Sequence, residues 1–162
     1  MEHIAGLGFR CCMYVLFGLT LEVIFAMHGI ERMLGYTLQR RVPFRYLEGF
    51  TTAYMIPLHG LGILFGFELV HALIRDWFIG LRFVVWAVLI SACEALYGLL
   101  LDKLLGFYPW DYYAQSRFKV FERGYTLWTL IPMWGLAGLM LEVFSDLMIH
   151  LTPKAVAFLL GA

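Results

Sequence analysis

The stretch LRFVVWAVLISACEALYGLLL, residues 81–101, decides the fold class of this chain. It is almost entirely apolar, and its length matches the roughly 20 residues that an α-helix needs to cross the hydrocarbon core of a bilayer. Three more stretches of this kind occur at about residues 9–30, 50–74 and 124–151. The sequence therefore predicts an all-α integral membrane protein. We expect a four-helix bundle that forms one transmembrane domain over residues 1–162, with both termini on the same side.

The composition of the whole chain agrees with a membrane protein and excludes several other classes. Of the 162 residues, 62% are hydrophobic and 15% are charged, whereas soluble domains are roughly half apolar and about a quarter charged. The mean hydropathy is +0.78. One small water-soluble core cannot hide this apolar excess, which excludes a soluble enzyme, a disordered tail and a disulfide scaffold. The formal net charge is zero, so we predict no nucleic-acid partner.

The predicted partner is therefore the lipid bilayer, and a membrane-protein partner or a homo-oligomer stays open. No cofactor and no metal are predicted, because Cys11, Cys12 and Cys93 have neither the CxxC nor the His-spaced pattern of a metal site. The residues after Pro153 form an apolar tail that is too short to span a bilayer. We expect this tail to lie along the membrane surface or to fray.

Basic residues beside the four spans predict the orientation. Eight Lys and Arg residues lie in the two long connections, against four at the termini and in the short connection. Since cytoplasmic loops carry the excess of basic residues, loops 31–49 and 102–123 are predicted to be cytoplasmic, with both termini outside. The corresponding localisation is a multi-pass protein of the cell membrane.

Acidic and histidine side chains interrupt the spans, where they are costly and by default indicate a functional site in the bundle interior. We count the depth of each side chain from the boundary of its span, at about 1.5 Å per residue, and this separates the side chains into two tiers. The inner tier, near the cytoplasm, consists of Glu22, His59 and Glu94. The outer polar stripe consists of Glu68, His71, Glu142, Asp146 and His150. The last three residues of that stripe follow one face of a helix.

Each tier has alternative interpretations. We expect Glu22 and Glu94 to be protonated because of burial, or to pair with an Arg that reaches in from the cytoplasmic loop. Asp146 and His150 are also explained by a position in the headgroup region, where polar residues cost little. Glu68-x-x-His71 has the spacing found in di-iron bundles, but those bundles need a second such pair and two further Glu residues.

The third connection contains GFYPWDYY, residues 106–113. Pro109 ends the preceding helix, and Trp110 and the tyrosines suit a membrane–water interface. Asp111 can begin a turn. One interpretation is an aromatic anchor that holds the loop against the bundle. The other is a ligand or ion site to which Trp110, Asp111 and Tyr112 contribute.

Several of these motifs together resemble the ABC-transporter type IV (CmpB-like) family, which includes the animal transmembrane protein 229 group. The matching residues are Glu22, Pro57-Leu58-His59-Gly60-Leu61-Gly62, Glu94 with Gly98, and Pro109-Trp110-Asp111-Tyr112. The similarity covers about residues 9–145, and the chain departs from the family at His59 and Tyr113. The resemblance implies the topology and the site location, and the family's name implies transport.

Three functions from different classes stay open at this point. The first is a small permease-like or transport-associated component whose inner-leaflet polar site binds a cation, a proton or a polar head group. The second is a membrane enzyme that acts on lipid head groups, with carboxylates as acid and base. The third is a non-catalytic accessory subunit of a membrane complex. The chain has no Walker A sequence, so ATP hydrolysis would require a partner.

Overall fold

The computed structural model describes residues 1–39, 41 and 48–161. Arg40 and Arg45, two of the basic residues behind the orientation prediction, lie outside the described residues. The described chain is helical and contains no named β-strand. Four of its helical segments are long and apolar enough to cross a membrane, which is compatible with a multi-pass protein in a lipid bilayer.

The helices follow each other in a simple order. The first span, α1 (Glu2–His28), is followed by the short helix α2 (Ile30–Leu34). The second span, Ala53–Ile74, combines a 3-10 turn (Ala53–Met55), a π-helical segment (Leu58–Phe67) and the α-helix α3 (Glu68–Ile74). The third and fourth spans are α4 (Ile79–Leu105) and α5 (Leu130–Leu160), and a 3-10 helix (Asp111–Gln115) lies between them.

The two long connections pack together at one end of the bundle, which we call the loop end. The Ser116 hydroxyl donates to the Leu34 carbonyl at 2.7 Å, and the Tyr36 hydroxyl donates to the Tyr112 carbonyl at 2.6 Å. At the opposite end, which we call the terminal end, the start of α1 lies against the last turns of α5. A Cβ on Gly6 would lie 2.9 Å from a Thr152 methyl group.

The fourth span differs at both ends from the range 124–151 expected from the sequence. Helix α5 begins at Leu130, because the preceding residues form a turn in which Gly124 has a φ of +74°. The Val120 N–H donates to the Thr126 carbonyl across this turn at 3.1 Å. The helix then continues through Pro153 to Leu160, where a surface tail was expected. Burial of Val156 near Gly6 of α1 accounts for this continuation, although an interior proline typically costs about 3 kcal/mol.

The bundle interior contains aromatic residues and close contacts between helices. Phe67 of the second span stacks on Trp86 of α4, with ring centroids 4.1 Å apart. Gly138 of α5 lies directly against Trp86, so that any Cβ at this position would collide with the Trp86 side chain. Small residues at helix crossings allow this approach in membrane bundles. Many of the other apolar side chains point outward, where a bilayer would surround them. Examples are Leu16, Phe65, Leu73, Leu104 and Val143.

Candidate functional site

Glu94 is a buried carboxylate in the middle of α4, and its partners come from three separate elements. The Thr126 hydroxyl donates to Glu94 Oε2 at 2.6 Å, and Trp134 Nε1 donates to the same oxygen at 3.0 Å. The Tyr113 hydroxyl forms a further hydrogen bond with Glu94. Within the described part of the chain, the hydrogen-bond partners of Glu94 are therefore neutral side chains.

Local structure explains why these three donors meet at Glu94. Tyr113 belongs to the 3-10 helix after Pro109, Thr126 follows the turn at Gly124, and Trp134 lies in the first turns of α5. Burial raises the pKa of the Tyr113 hydroxyl well above its ordinary value, and the nearby Glu94 charge raises it further. Tyr113 consequently keeps its proton, and its O–H can donate a hydrogen bond to the carboxylate.

Glu22 and His59 form a second pair near the loop end. His59 Nε2 lies 2.8 Å from Glu22 Oε1, and the Thr51 hydroxyl donates to the other Glu22 oxygen. The His59 ring packs directly on Gly18 of α1, which leaves no room for a side chain there. The two side chains are 17% and 25% exposed, so this pair is more accessible from outside the bundle than the buried Glu94.

Tyr112 connects the two acidic groups electrostatically. Burial raises the pKa of its hydroxyl above the ordinary value, and the charges of Glu94 and Glu22 raise it further, in that order. The charges of both carboxylates therefore influence the pKa of the same tyrosine hydroxyl. We call this group the loop-end cluster; its members are Glu22, His59, Glu94, Tyr112, Tyr113, Thr126 and Trp134.

The structure places Trp110 and Asp111 in different surroundings. Trp110 is buried, its Nε1 donates to the Tyr125 carbonyl at 2.9 Å, and a Cβ on Gly98 would lie 3.0 Å from its ring. The one polar atom of the Trp110 side chain is thus already bonded to a backbone carbonyl, which agrees with the interpretation of the loop as an aromatic anchor. Asp111 is exposed at the start of its 3-10 helix. Burial raises the pKa of Tyr108 to about 12, and the Asp111 charge is the second cause.

Four of the five residues of the outer polar stripe belong to a second group, which we call the terminal-end network. Its members are Glu68, His71, Glu142, Asp146, Arg10, Tyr14, Arg82, Trp86 and Ser145. Arg10 of α1 binds both oxygens of Glu68, at 2.8 and 3.3 Å. The Tyr14 hydroxyl donates to Glu68 at 2.6 Å and lies 3.0 Å from the Ser145 hydroxyl of α5. This part of the network therefore links α1, α3 and α5.

Glu142 is the buried centre of the other half of the terminal-end network. Arg82 pairs with Glu142 Oε2 at 3.0 Å, and Trp86 Nε1 donates to Oε1 at 2.7 Å. His71 lies between Glu142 and Asp146, with its Nε2 3.0 Å from Asp146 Oδ1. Asp146 itself is 69% exposed at the side chain, and His150 is exposed one turn further along α5.

The sequence did not indicate several of the residues that complete these groups. Arg10 counted there only as a flanking charge and Arg82 only as a charge near the outer tier, although Arg10 pairs with the partly buried Glu68 and Arg82 with the buried Glu142. Thr126 was assigned to the fourth span, because its apolar neighbours hide the turn at Gly124. The Gly124 residue itself was the available signal, since glycine commonly marks a turn.

Within residues 1–39, 41 and 48–161, no group of three or more His, Cys, Asp and Glu side chains is arranged to hold a metal ion. Comparisons with known proteins found no matching family model, no matching curated protein and no matching solved structure.

Proposed function

We propose that this chain is a small permease-like, transport-associated membrane component in which Glu94 binds and releases a proton. One observation carries the proposal: a buried carboxylate whose described hydrogen-bond partners are the neutral donors Thr126, Trp134 and Tyr113. An uncompensated buried charge is costly, and a bound proton removes that charge. The donors already touch the carboxylate, and a proton is the ligand that needs no further space.

The contacts also indicate which oxygen takes the proton. Glu94 Oε2 accepts from both Thr126 and Trp134, and the indole N–H of Trp134 can only donate. We therefore expect Oε1, which receives neither of these two hydrogen bonds, to take the proton. The partly exposed Glu22–His59 pair supplies the exchange with water, because both side chains reach the surface of the bundle near the loop end.

Glu94→Gln is expected to reduce proton flux. The amide keeps the shape of the side chain but cannot take up and release a proton at neutral pH. In proteoliposomes with an internal pH dye and a potassium diffusion potential, we expect the parent protein to acidify or alkalinise the lumen. The variant is expected to do so at least about tenfold more slowly.

Asp76→Asn is the matched control, because it removes one carboxylate from an exposed turn at the terminal end. This variant is expected to retain the flux of the parent protein. The proposal fails if the parent protein produces no flux above empty liposomes, or if Glu94→Gln conducts as fast as the parent.

We further propose that the loop end faces the cytoplasm and that the protein lies in the cell membrane with both termini outside. The excess of basic residues in the long connections supports this orientation. In a variant lacking the three native cysteines, an impermeant maleimide added to intact cells should label His3→Cys and spare Glu122→Cys. Lysed cells should show both labelled, and the reverse pattern in intact cells would invert the orientation.

We also propose that the chain belongs to the CmpB-like family. The residues behind that resemblance come together at the loop end: His59 contacts Glu22, and Trp110 packs over Gly98 one turn from Glu94. A set of motifs dispersed along the chain thus shares one neighbourhood. This agrees with a common site, and the family's name agrees with the proposed transport.

A further inference from the structure

His71 lies between two carboxylates at the terminal end, and the loop-end cluster does not involve it. Its Nε2 is 3.0 Å from Asp146 Oδ1, and its Nδ1 is 3.6 Å from Glu142 Oε1. The residue is 5% exposed, and Nδ1 has no hydrogen-bond partner in the described part of the chain. A buried ring nitrogen that points at a carboxylate without bonding to it indicates a site for a further proton.

The charges around His71 come from three helices. Helix α5 contributes Glu142 and Asp146, and α4 contributes Arg82, which pairs with Glu142 at 3.0 Å. On α3 itself, Glu68 is already bound by Arg10, and the side chain of Arg75, the residue that caps the end of α3, is 67% exposed. With a neutral His71, one arginine therefore faces two carboxylates. A protonated His71 balances this excess negative charge.

We infer that His71, Glu142 and Asp146 form a second proton-binding site, and that the bound proton latches α3 to α5 at the terminal end. A neutral imidazole has one N–H and can donate to one carboxylate, whereas the imidazolium donates to both. The ring gains one proton from water by way of the exposed Asp146, and no other bond changes. The inference rests on the proposed function, since the latch closes the bundle at the end opposite to Glu94.

Ser91 provides a reporter of the latch. It lies on α4 between Glu94 and Trp86, is 7% exposed, and its hydroxyl has no described partner. The test uses Ser91→Cys in a chain whose native cysteines are replaced by alanine, reconstituted in nanodiscs. The quantity measured is the rate of modification by a cationic methanethiosulfonate, divided at each pH by the rate for Asp76→Cys. Asp76 is exposed, so this ratio removes the intrinsic pH dependence of the thiol.

We expect the relative rate to be at least about tenfold higher at about pH 8 than at about pH 5, because only the protonated ring can donate to both carboxylates and hold α3 against α5. Adding His71→Gln should make the rate independent of pH. Adding Asp146→Asn, a change at a largely exposed side chain that preserves the fold more safely, should reduce the pH effect at least about threefold.

Two outcomes would overturn the inference. Ser91→Cys that is equally protected at both pH values would show that no latch opens. A pH effect that persists with His71→Gln but disappears with Glu94→Gln would assign the proton to the loop-end cluster instead. The proposed function is tested separately by proton flux, so a pH-independent rate together with normal flux contradicts the latch alone.

Discussion

Replacing Gly124 with alanine is expected to lower the free energy of unfolding by about 2–5 kcal/mol, as the sum of two costs. The first is backbone strain, since Gly124 has a φ of +74°, which side chains disfavour. The second is crowding, since a Cβ would lie 2.6 Å from the Tyr113 carbonyl carbon and the Ala114 nitrogen. Both are backbone atoms of the 3-10 helix and cannot rotate away.

Gly106→Ala separates the two costs. Gly106 has a φ of +78°, but a Cβ there meets no atom within 4 Å, so only the strain of about 1–2 kcal/mol is expected. Thermal and denaturant unfolding in detergent micelles, followed by circular dichroism, measures both variants. Equal losses of stability in the two variants would show that the contact between Gly124 and the 3-10 helix is unimportant. Gly124→Ala is also expected to weaken the hydrogen bond from Thr126 to Glu94, because the turn at Gly124 positions Thr126.

Arg82→Met is the second variant for which we expect a large effect, a loss of about 3–5 kcal/mol. It keeps most of the apolar length of the side chain but leaves the Glu142 carboxylate, 6% exposed, without its cation. Trp86 still donates one hydrogen bond to this group, which does not compensate the buried charge. The same unfolding measurement applies.

Two further variants show whether this loss comes from the ion pair. Arg75→Met removes a cation at the same end of the bundle, but its side chain is 67% exposed, and we expect a change within about 0.5 kcal/mol. Adding Glu142→Gln to Arg82→Met removes the stranded charge and should recover most of the stability. A double variant as unstable as Arg82→Met would contradict the importance of this pair.

The sequence predicted the features that depend on length and depth. Bilayer thickness fixes how many apolar residues a span needs, and this was enough to find all four spans. The constant rise of a helix likewise places Glu22 and Glu94 on one side of Glu68 and Glu142 along the bundle. To predict these features, it is enough to know the position of each residue along its helix.

The partners of the acidic groups depend on rotation and on register between helices, which the apolar pattern of a lipid-facing helix defines poorly. The sequence therefore indicated Arg10 only as a flanking charge and Arg82 only as a charge near the outer tier, although each pairs inside the bundle with a carboxylate from another helix. The same limit applies to Tyr14, whose hydroxyl joins Glu68 to Ser145. These contacts exist only once the helices are packed.

The π-helical segment Leu58–Phe67 has a consequence for the angular phase of the second span. On a uniform α-helix, His59 and His71 would project about 120° apart, at 100° per residue. A π-helix has more residues in each turn, so each residue turns the chain by a smaller angle and this separation changes. A helical wheel drawn from the sequence therefore misorients one half of the span relative to the other. A change of the hydrogen bonds in this segment to the α-helical pattern would rotate His71 about the helix axis relative to His59, and would thus alter the angle between the polar groups at the two ends of the protein.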